Sequence, residues 1–305
     1  MAVVRLSSYT GGVAQPRRIA VASTLCPGCR PRAAATAYEE GVDRARVTYA
    51  VGEHPVAREV ELLTLGSDFG ANGYATLAEV SALPGLLGLG SGRRLLDVGS
   101  GQGWPGLYLA RQTGCRVVLT DVPFEGLATA THRASREELG GRAWALAARG
   151  QALPLRARAF DAVIHTDVLC CLRPKQATLR ATFQALRHGG RTAFTAIFPA
   201  AGLTAADARR AIEAGPPNCG LRTSYPSLLR SAGFVDVEER DLTADYFSTA
   251  SRKLDVAEQF AADMIEMLGR QEYERMQAER RQAISAIELG LLRRSLFVAR
   301  RPRRR

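Results

Sequence analysis

Lysine is nearly absent: of 41 basic residues only Lys175 and Lys253 are lysines, beside abundant Arg, Ala and Gly. This points to coding composition rather than to function. Long apolar runs are also missing, since no stretch approaches the roughly 18 consecutive apolar residues of a membrane-spanning helix. Six cysteines in 305 residues have no framework spacing, and a chain this long needs no disulfide staples, so reduced thiols and a cytoplasmic setting are expected. Cys26-Pro-Gly-Cys29 stands without a second pair or a nearby His and completes no zinc site; no metal is expected. Gly 29 and Pro 14 fall short of collagen or low-complexity composition, while 46% hydrophobic residues suffice for a sizeable core.

The formal charge of +11 would suggest an acidic partner, but its placement argues otherwise. Five arginines precede the first acid at Glu39 and five more lie in 300–305, so the body, 36–299, is close to neutral. Residues 1–35 read as a disordered extension without a clean cleavage pattern. Residues 300–305 read as a solvated basic tail. One domain is expected over 36–299, with a core at 90–242 and a last strand at 294–299.

Tyr38, Val42, Ala45 and Tyr49 make a helical stripe, and 56–65 and 77–83 are further amphipathic segments before the main sheet. Short apolar runs then alternate with helices. Strands are expected at 94–98, 116–120, 143–148, 160–165, 191–198 and 234–242, and helices near 104–110, 125–139, 175–187 and 224–232. Such alternation describes a parallel α/β sheet. The segment 251–289 is charged and helical in period, so a helical insertion (243–292) is expected before the last strand.

Asp97-Val-Gly99-Ser-Gly101-Gln-Gly103 falls at a strand-to-helix turn, where α/β sheets bind nucleotide-like ligands. Gly101-Gln-Gly103-Trp-Pro-Gly106 also fits the dinucleotide fingerprint, and Asp121, ending the next strand, suits the ribose of either cofactor class. The charge of Asp97 opposes a pyrophosphate and suits S-adenosylmethionine, which carries a sulfonium and an ammonium and no phosphate.

Together, Leu95-Leu-Asp97-Val-Gly99-Ser-Gly101-Gln-Gly103, Asp121, Gly150-Gln-Ala-Leu-Pro-Leu155 with Phe160-Asp-Ala-Val163, Leu186-Arg-His-Gly-Gly-Arg191 and Leu229-Arg-Ser-Ala-Gly-Phe234 resemble the class I S-adenosylmethionine-dependent methyltransferases. The nearest branch is the small-molecule one that includes the ubiquinone and menaquinone biosynthesis type. The resemblance implies a Rossmann-like fold with a mostly parallel seven-stranded sheet and helices on both faces. It further implies that Gly99, Ser100, Gly101 and Gly103 line the cofactor, with Asp97 near its amino group. Asp121 would take the ribose hydroxyls and Val122 would lie against the adenine. Gln151, with Ala152, stands where the family usually has an Asp contacting the adenine amino group; an amide oxygen can accept that bond too.

His165, ending the 160–165 strand, would lie beside the cofactor, and Asp167 follows it; the two are the candidates for a base, should the acceptor have to lose a proton. Tyr246, Phe247, Met264 and Met267 in the insertion are the candidate acceptor lining, although helical spacing suits core packing equally. Asp68-Phe-Gly-Ala-Asn-Gly-Tyr74 is a further segment expected to approach the cofactor. The expected reaction is methyl transfer from S-adenosylmethionine to a small-molecule acceptor, with nucleic acid not expected as partner and oligomeric state left open. An RNA or protein methyltransferase, a non-catalytic adenosyl-ligand-binding relative and a nicotinamide-dependent oxidoreductase remain the alternatives.

Overall fold

The computed structural model describes residues 33–304, with side chains from Val42 onward. Helices α1 (Ala33–Ala50), α2 (Pro55–Leu65), α3 (Leu77–Ser81) and α4 (Leu83–Leu87) precede the sheet. There follow β1 (Arg94–Val98), α5 (Gly106–Thr113), β2 (Arg116–Asp121), α6 (Phe124–Arg136), β3 (Ala143–Ala147), β4 (Phe160–Thr166), α7 (Lys175–Ala185) and β5 (Leu186–Pro199). The chain closes with α8 (Ala205–Ala214), α9 (Tyr225–Ser231), β6 (Val235–Asp241), α10 (Thr243–Gln259), α11 (Ala261–Leu268), α12 (Arg270–Glu288) and β7 (Leu292–Arg300).

The seven strands lie in the order β3-β2-β1-β4-β5-β7-β6, all parallel except for β7, which pairs antiparallel with both β5 and β6. This is the Rossmann-like arrangement expected. Strands β1 and β4 are buried along nearly their whole length because helices cover both faces. On one face Leu95, Val117, Leu119 and Ile164 pack with Leu83 and Leu87 of α4, Leu107 and Leu109 of α5 and Leu127 of α6. On the other, Leu96, Val163 and Phe194 pack with Leu179 of α7 and Tyr225 and Leu229 of α9. At the edge, β6 (Val-Asp-Val-Glu-Glu-Arg-Asp) is largely exposed and charged, which discourages pairing with another chain.

Three details differ from the sequence reading. The helical stretch 251–289 is three helices, α10 to α12, beginning already at Thr243 and broken at Phe260 and Gly269; Gly269 has φ +82, a conformation that releases the helix direction. Strand β5 begins at Leu186, five residues early, because Gly189-Gly190 continues into the pairing. The tail is partly structural. Arg300 closes β7 and pairs with Asp236 at 2.6 Å. Arg301 is buried: its Nη1 donates to the carbonyls of Phe183 (2.7 Å) and Leu186 (2.9 Å), and its guanidinium lies 4.4 Å from the Phe183 ring centroid. Residues 1–32, which include most of the expected leader and Cys26 and Cys29, lie outside the described residues.

Arg301 therefore satisfies carbonyls at the end of α7 as a charged cap. Arg301→Ala should lower the unfolding free energy by about 2 kcal/mol in urea titration, the cost of leaving these acceptors unpaired. An effect within a few tenths would return Arg301 to the solvated tail.

Candidate active site

The sheet reverses its winding between β1 and β4, and the loop after β1 opens at that point. Gly99, Gly101 and Gly103 have φ of +74°, +50° and +114°, and the space beside them is filled. A Cβ at Gly99 would lie 2.5 Å from Val168 Cγ2, and one at Gly101 would lie 3.0 Å from the Tyr49 hydroxyl. Backbone N–H groups of Gly99 and Ser100 donate to the Thr120 carbonyl at 2.7 and 3.0 Å, tying the loop to the end of β2.

Asp121 ends β2 and faces this loop. Its Oδ2 accepts from Gly101 N at 2.7 Å and from the Tyr49 hydroxyl at 3.3 Å, and its Oδ1 accepts from Val122 N at 2.6 Å. Burial raises its carboxyl above the ordinary carboxylate range. Asp97, fully buried in β1, turns Oδ2 to the N–H of Gly106 at the start of α5 (2.9 Å), while Oδ1 has no partner. Burial pushes its carboxyl well up, and the charge of Asp121 adds to the effect. Ser100 Oγ is a second buried polar atom without a partner. Gln151, half-buried, and Ala152, exposed, follow β3 in a tight antiparallel bridge between Arg149 and Ala152.

The two catalytic candidates are differently placed. His165 is completely buried and stacks on Phe194 with centroids 4.7 Å apart; neither ring nitrogen has a partner. Burial lowers its pKa to about 3, so the imidazole is a poor proton acceptor at neutral pH. Asp167, in a left-handed turn (φ +55°), is engaged by the fully buried Arg294 of β7. Arg294 Nε reaches Asp167 Oδ1 at 2.9 Å, and its two Nη atoms hold Glu79 of α3 at 2.8 and 3.0 Å. Asp167 also accepts from Tyr74 N and from the Thr195 hydroxyl, both at 2.9 Å. Burial would raise its carboxyl, but Arg294 and these donors hold it below the ordinary range. It is an ion-pair member, and its lone pairs are committed.

The loop 68–75 does approach the glycine loop. A Cβ at Gly70 would meet the Gln102 side chain at 2.5 Å, Trp104 Nε1 donates to the Ala75 carbonyl at 3.0 Å, and a Cβ at Gly73 would lie 2.9 Å from Asp167 Oδ2. Several residues that sequence reasoning did not single out build this enclosure. Tyr49 covers Gly101, Gln102 Nε2 donates to the Tyr49 carbonyl at 2.8 Å, and Glu61 takes the N–H of Gly70 at 2.9 Å. The buried Arg133 of α6 holds the Gly52 carbonyl at 3.0 Å and the Asp68 carbonyl at 3.2 Å. Only Tyr49 left a sequence signal, as the last member of the α1 stripe.

The acceptor candidates divide. Tyr246 is buried edge-to-face against Tyr74, ring centroids 4.6 Å apart, with Phe247 in the same cluster. Met264 and Met267 pack instead with Val60, Val256, Phe260 and Tyr273 in a separate cluster between α2, α10, α11 and α12. Two surface clefts of about 460 Å³ each open around Ile212 and Gly220–Thr223 and do not reach the glycine loop, over which Tyr49 and Val168 are packed.

Residues 96–194 match the family model described as a methyltransferase domain. Over 224 residues the chain is 28% identical to erythromycin 3''-O-methyltransferase of Saccharopolyspora erythraea, covering 65% of this chain and 71% of that protein. Over 174 residues it is 29% identical to 27-O-demethylrifamycin SV methyltransferase of Amycolatopsis mediterranei, covering 55% and 64%. Among solved structures, the fold is shared with Haemonchus contortus phosphoethanolamine N-methyltransferase 2 (TM-score 0.72, 17% identity, 87% of this chain and 61% of that one). It is shared also with the [4+2]-cyclase SpnF (TM-score 0.69, 19% identity, 88% and 97%).

The buried His165 carries a pH signature. The unfolded chain protonates this imidazole near 6.5 and the folded chain only near 3, so between these values the unfolded state binds more protons. The stability held above pH 6.5 is therefore lost as pH falls, with a slope approaching about 1.4 kcal/mol per unit. His165→Leu removes this loss. Relative to wild type, the variant should gain about 2 kcal/mol between pH 7.5 and pH 5 in urea titrations, whereas a pH-independent difference would show the ring to be solvated.

Proposed function

We propose that the protein is a class I S-adenosylmethionine-dependent methyltransferase that transfers the cofactor's methyl group to a small-molecule acceptor by in-line displacement at the glycine loop. The observation that carries this reading is the pairing of Asp121 with the glycine loop at the switch point, with the buried, half-satisfied Asp97 beside it.

The residues present fit the cofactor. Gly99, Gly101 and Gly103 give a backbone that a ligand can approach, Ser100 Oγ and Asp97 Oδ1 offer unused polar atoms, and Asp121 would exchange the Tyr49 hydroxyl for the ribose. Val122 and Gln151 with Ala152 flank the adenine end on this assignment. When bound, S-adenosylmethionine supplies an electrophilic methyl on a sulfonium. The chain's own work is then to bind, orient and exclude water, which can supply most of the rate of a displacement. His165 is assigned to holding β4 against Phe194, and Asp167 to positioning Tyr74 and the 68–75 loop, so neither takes the acceptor proton.

The acceptor class rests on the relatives, two of which are named for tailoring erythromycin and rifamycin. They favour hydroxylated natural-product acceptors over the quinone precursors of the branch considered from sequence. The RNA reading leaned on the basic tail, and Arg300 and Arg301 are committed to the fold.

Calorimetric titration with S-adenosylmethionine, followed by methyl-transfer assays on hydroxylated acceptors, tests the reading. Asp121→Ala should weaken cofactor affinity about 10- to 100-fold, the worth of charged hydrogen bonds. Because Asp97 and Asp121 titrate above the usual range when no cation faces them, binding a cationic ligand should release protons and affinity should fall as pH is lowered. Preference for NADH would overturn the cofactor assignment. Tight S-adenosylmethionine binding without turnover on any acceptor would leave a binding-only relative.

A further inference from the structure

We propose that Lys253, above the ring of Tyr74, and Arg280 beside it form a subsite for an oxyanion, a carboxylate or phosphate group, carried by the acceptor. This rests on the methyltransferase reading and specifies its substrate.

The chain's two lysines are used differently. Lys175 is anchored by two carbonyls, those of Leu172 (2.8 Å) and Asn218 (2.5 Å). Lys253, half-buried on α10, donates from Nζ to the Gly73 carbonyl at 2.7 Å and lies 5.3 Å from the Tyr74 ring centroid. Burial and the neighbouring Arg280 lower the Lys253 pKa to about 7; in the ammonium form, which an anionic ligand would stabilise, two of the three N–H donors remain. Arg280, half-buried on the facing α12, uses Nη1 for the Gln277 side-chain oxygen (2.6 Å) and the Lys253 carbonyl (3.3 Å), leaving Nη2 and Nε available. Among the described residues neither cation forms an ion pair. The neighbouring acids are taken: Glu279 pairs with Arg275 and Arg44, Glu61 accepts from Gly70 N, and Asp167 and Glu79 share Arg294.

Elsewhere in the enclosure the buried guanidiniums are matched, Arg133 by Glu53 and Arg294 by two carboxylates. Two adjacent, half-desolvated cations with Glu61 and Asp167 nearby but no carboxylate in direct contact are costly unless a ligand supplies one. An arginine fork beside an ammonium suits an oxyanion, which can take two or more charge-assisted bonds. The position is also right. Gly73 and Tyr74, on which Lys253 rests, are fastened to Asp167 just after β4, at the strand ends beside the glycine loop. An acceptor anchored here by its anion would place its remaining atoms toward the cofactor end of the enclosure. Tyr74, Tyr246 and Phe247 supply an apolar wall beside the cations.

The test uses the full chain loaded with S-adenosylhomocysteine and titrated calorimetrically with three probes built on one phenyl ring: phenyl phosphate, benzoate and the neutral benzyl alcohol. One or both anions should bind at least tenfold more tightly than the alcohol, and the stronger anion identifies the group. Lys253→Met and Arg280→Gln should each weaken the anion at least tenfold while S-adenosylhomocysteine affinity stays within twofold. Arg280→Lys, which keeps the charge, should recover part of the loss. Should Lys253→Met fail to fold, the two Arg280 variants suffice, since α12 presents that side chain at its partly exposed face. Equal binding of the alcohol, undiminished anion binding in Arg280→Gln, or no anion binding to the loaded wild type would each overturn the subsite. Failure of S-adenosylhomocysteine to bind wild type would instead remove the methyltransferase reading beneath it.

Discussion

Arg294 reaches from an antiparallel strand into the interior and meets two carboxylates from opposite sides, Glu79 from α3 and Asp167 from the turn after β4. Desolvating a guanidinium is expensive, and the cost is offset only because it makes four donor–acceptor contacts here, with Asp167 further held by Tyr74 N and the Thr195 hydroxyl. Removing the cation would leave two buried acids facing each other. The charge network therefore fixes where β7 enters the sheet, how α3 docks and where the loop 68–75 lies. Val168, next to Asp167, is the residue against which Gly99 packs, so the packing beneath the glycine loop depends on the same network.

The sheet was legible because its signal is local. Runs such as Leu95-Leu96 with Val98 and Ala162–Ile164 put apolar residues on both faces, and glycines or acids mark their ends, which is enough to place parallel strands between helices. The insertion was less legible: 251–289 keeps a helical period throughout, and only Phe260 and Gly269 break it, at points decided by packing between α10, α11 and α12. The glycine loop and Asp121 could be found from spacing. Arg133, Glu61 and Arg294 could not, since their partners lie 80, 9 and 127 residues away and the side chains look like ordinary surface charge in a chain rich in arginine. His165 and Asp167 do stand at the strand end, but the burial of the one and the Arg294 ion pair of the other were not legible from spacing.

The segments before the sheet close over the glycine loop. Tyr49 bonds Asp121, Gln102 bonds the Tyr49 carbonyl, Arg133 gathers Gly52 and Asp68, and Glu61 holds Gly70. The same loop, 68–75, then presents Gly73 to Lys253. One wall is thus shared by the glycine loop and by Lys253 of α10, so ordering either side restricts the other.

Three acids stand at the C-terminal ends of adjacent strands, and they differ in electrostatic state. Asp167 is neutralised by Arg294 and held below the usual carboxylate range, whereas burial without a facing cation raises Asp97 and Asp121. Among the described residues, Asp97 and Asp121 thus stand without an ion pair at the ends of β1 and β2, while Lys253 and Arg280 stand without one on α10 and α12. On the proposed assignment Asp97 and Asp121 attract a sulfonium that becomes a neutral thioether when the methyl leaves. Attraction that is strongest before transfer holds the reactant and does not lower the barrier, because catalysis requires interactions that strengthen in the transition state. Its effect is to favour exchange of spent cofactor for fresh, while the rate of transfer rests on how firmly Lys253, Arg280 and the 68–75 wall align the acceptor.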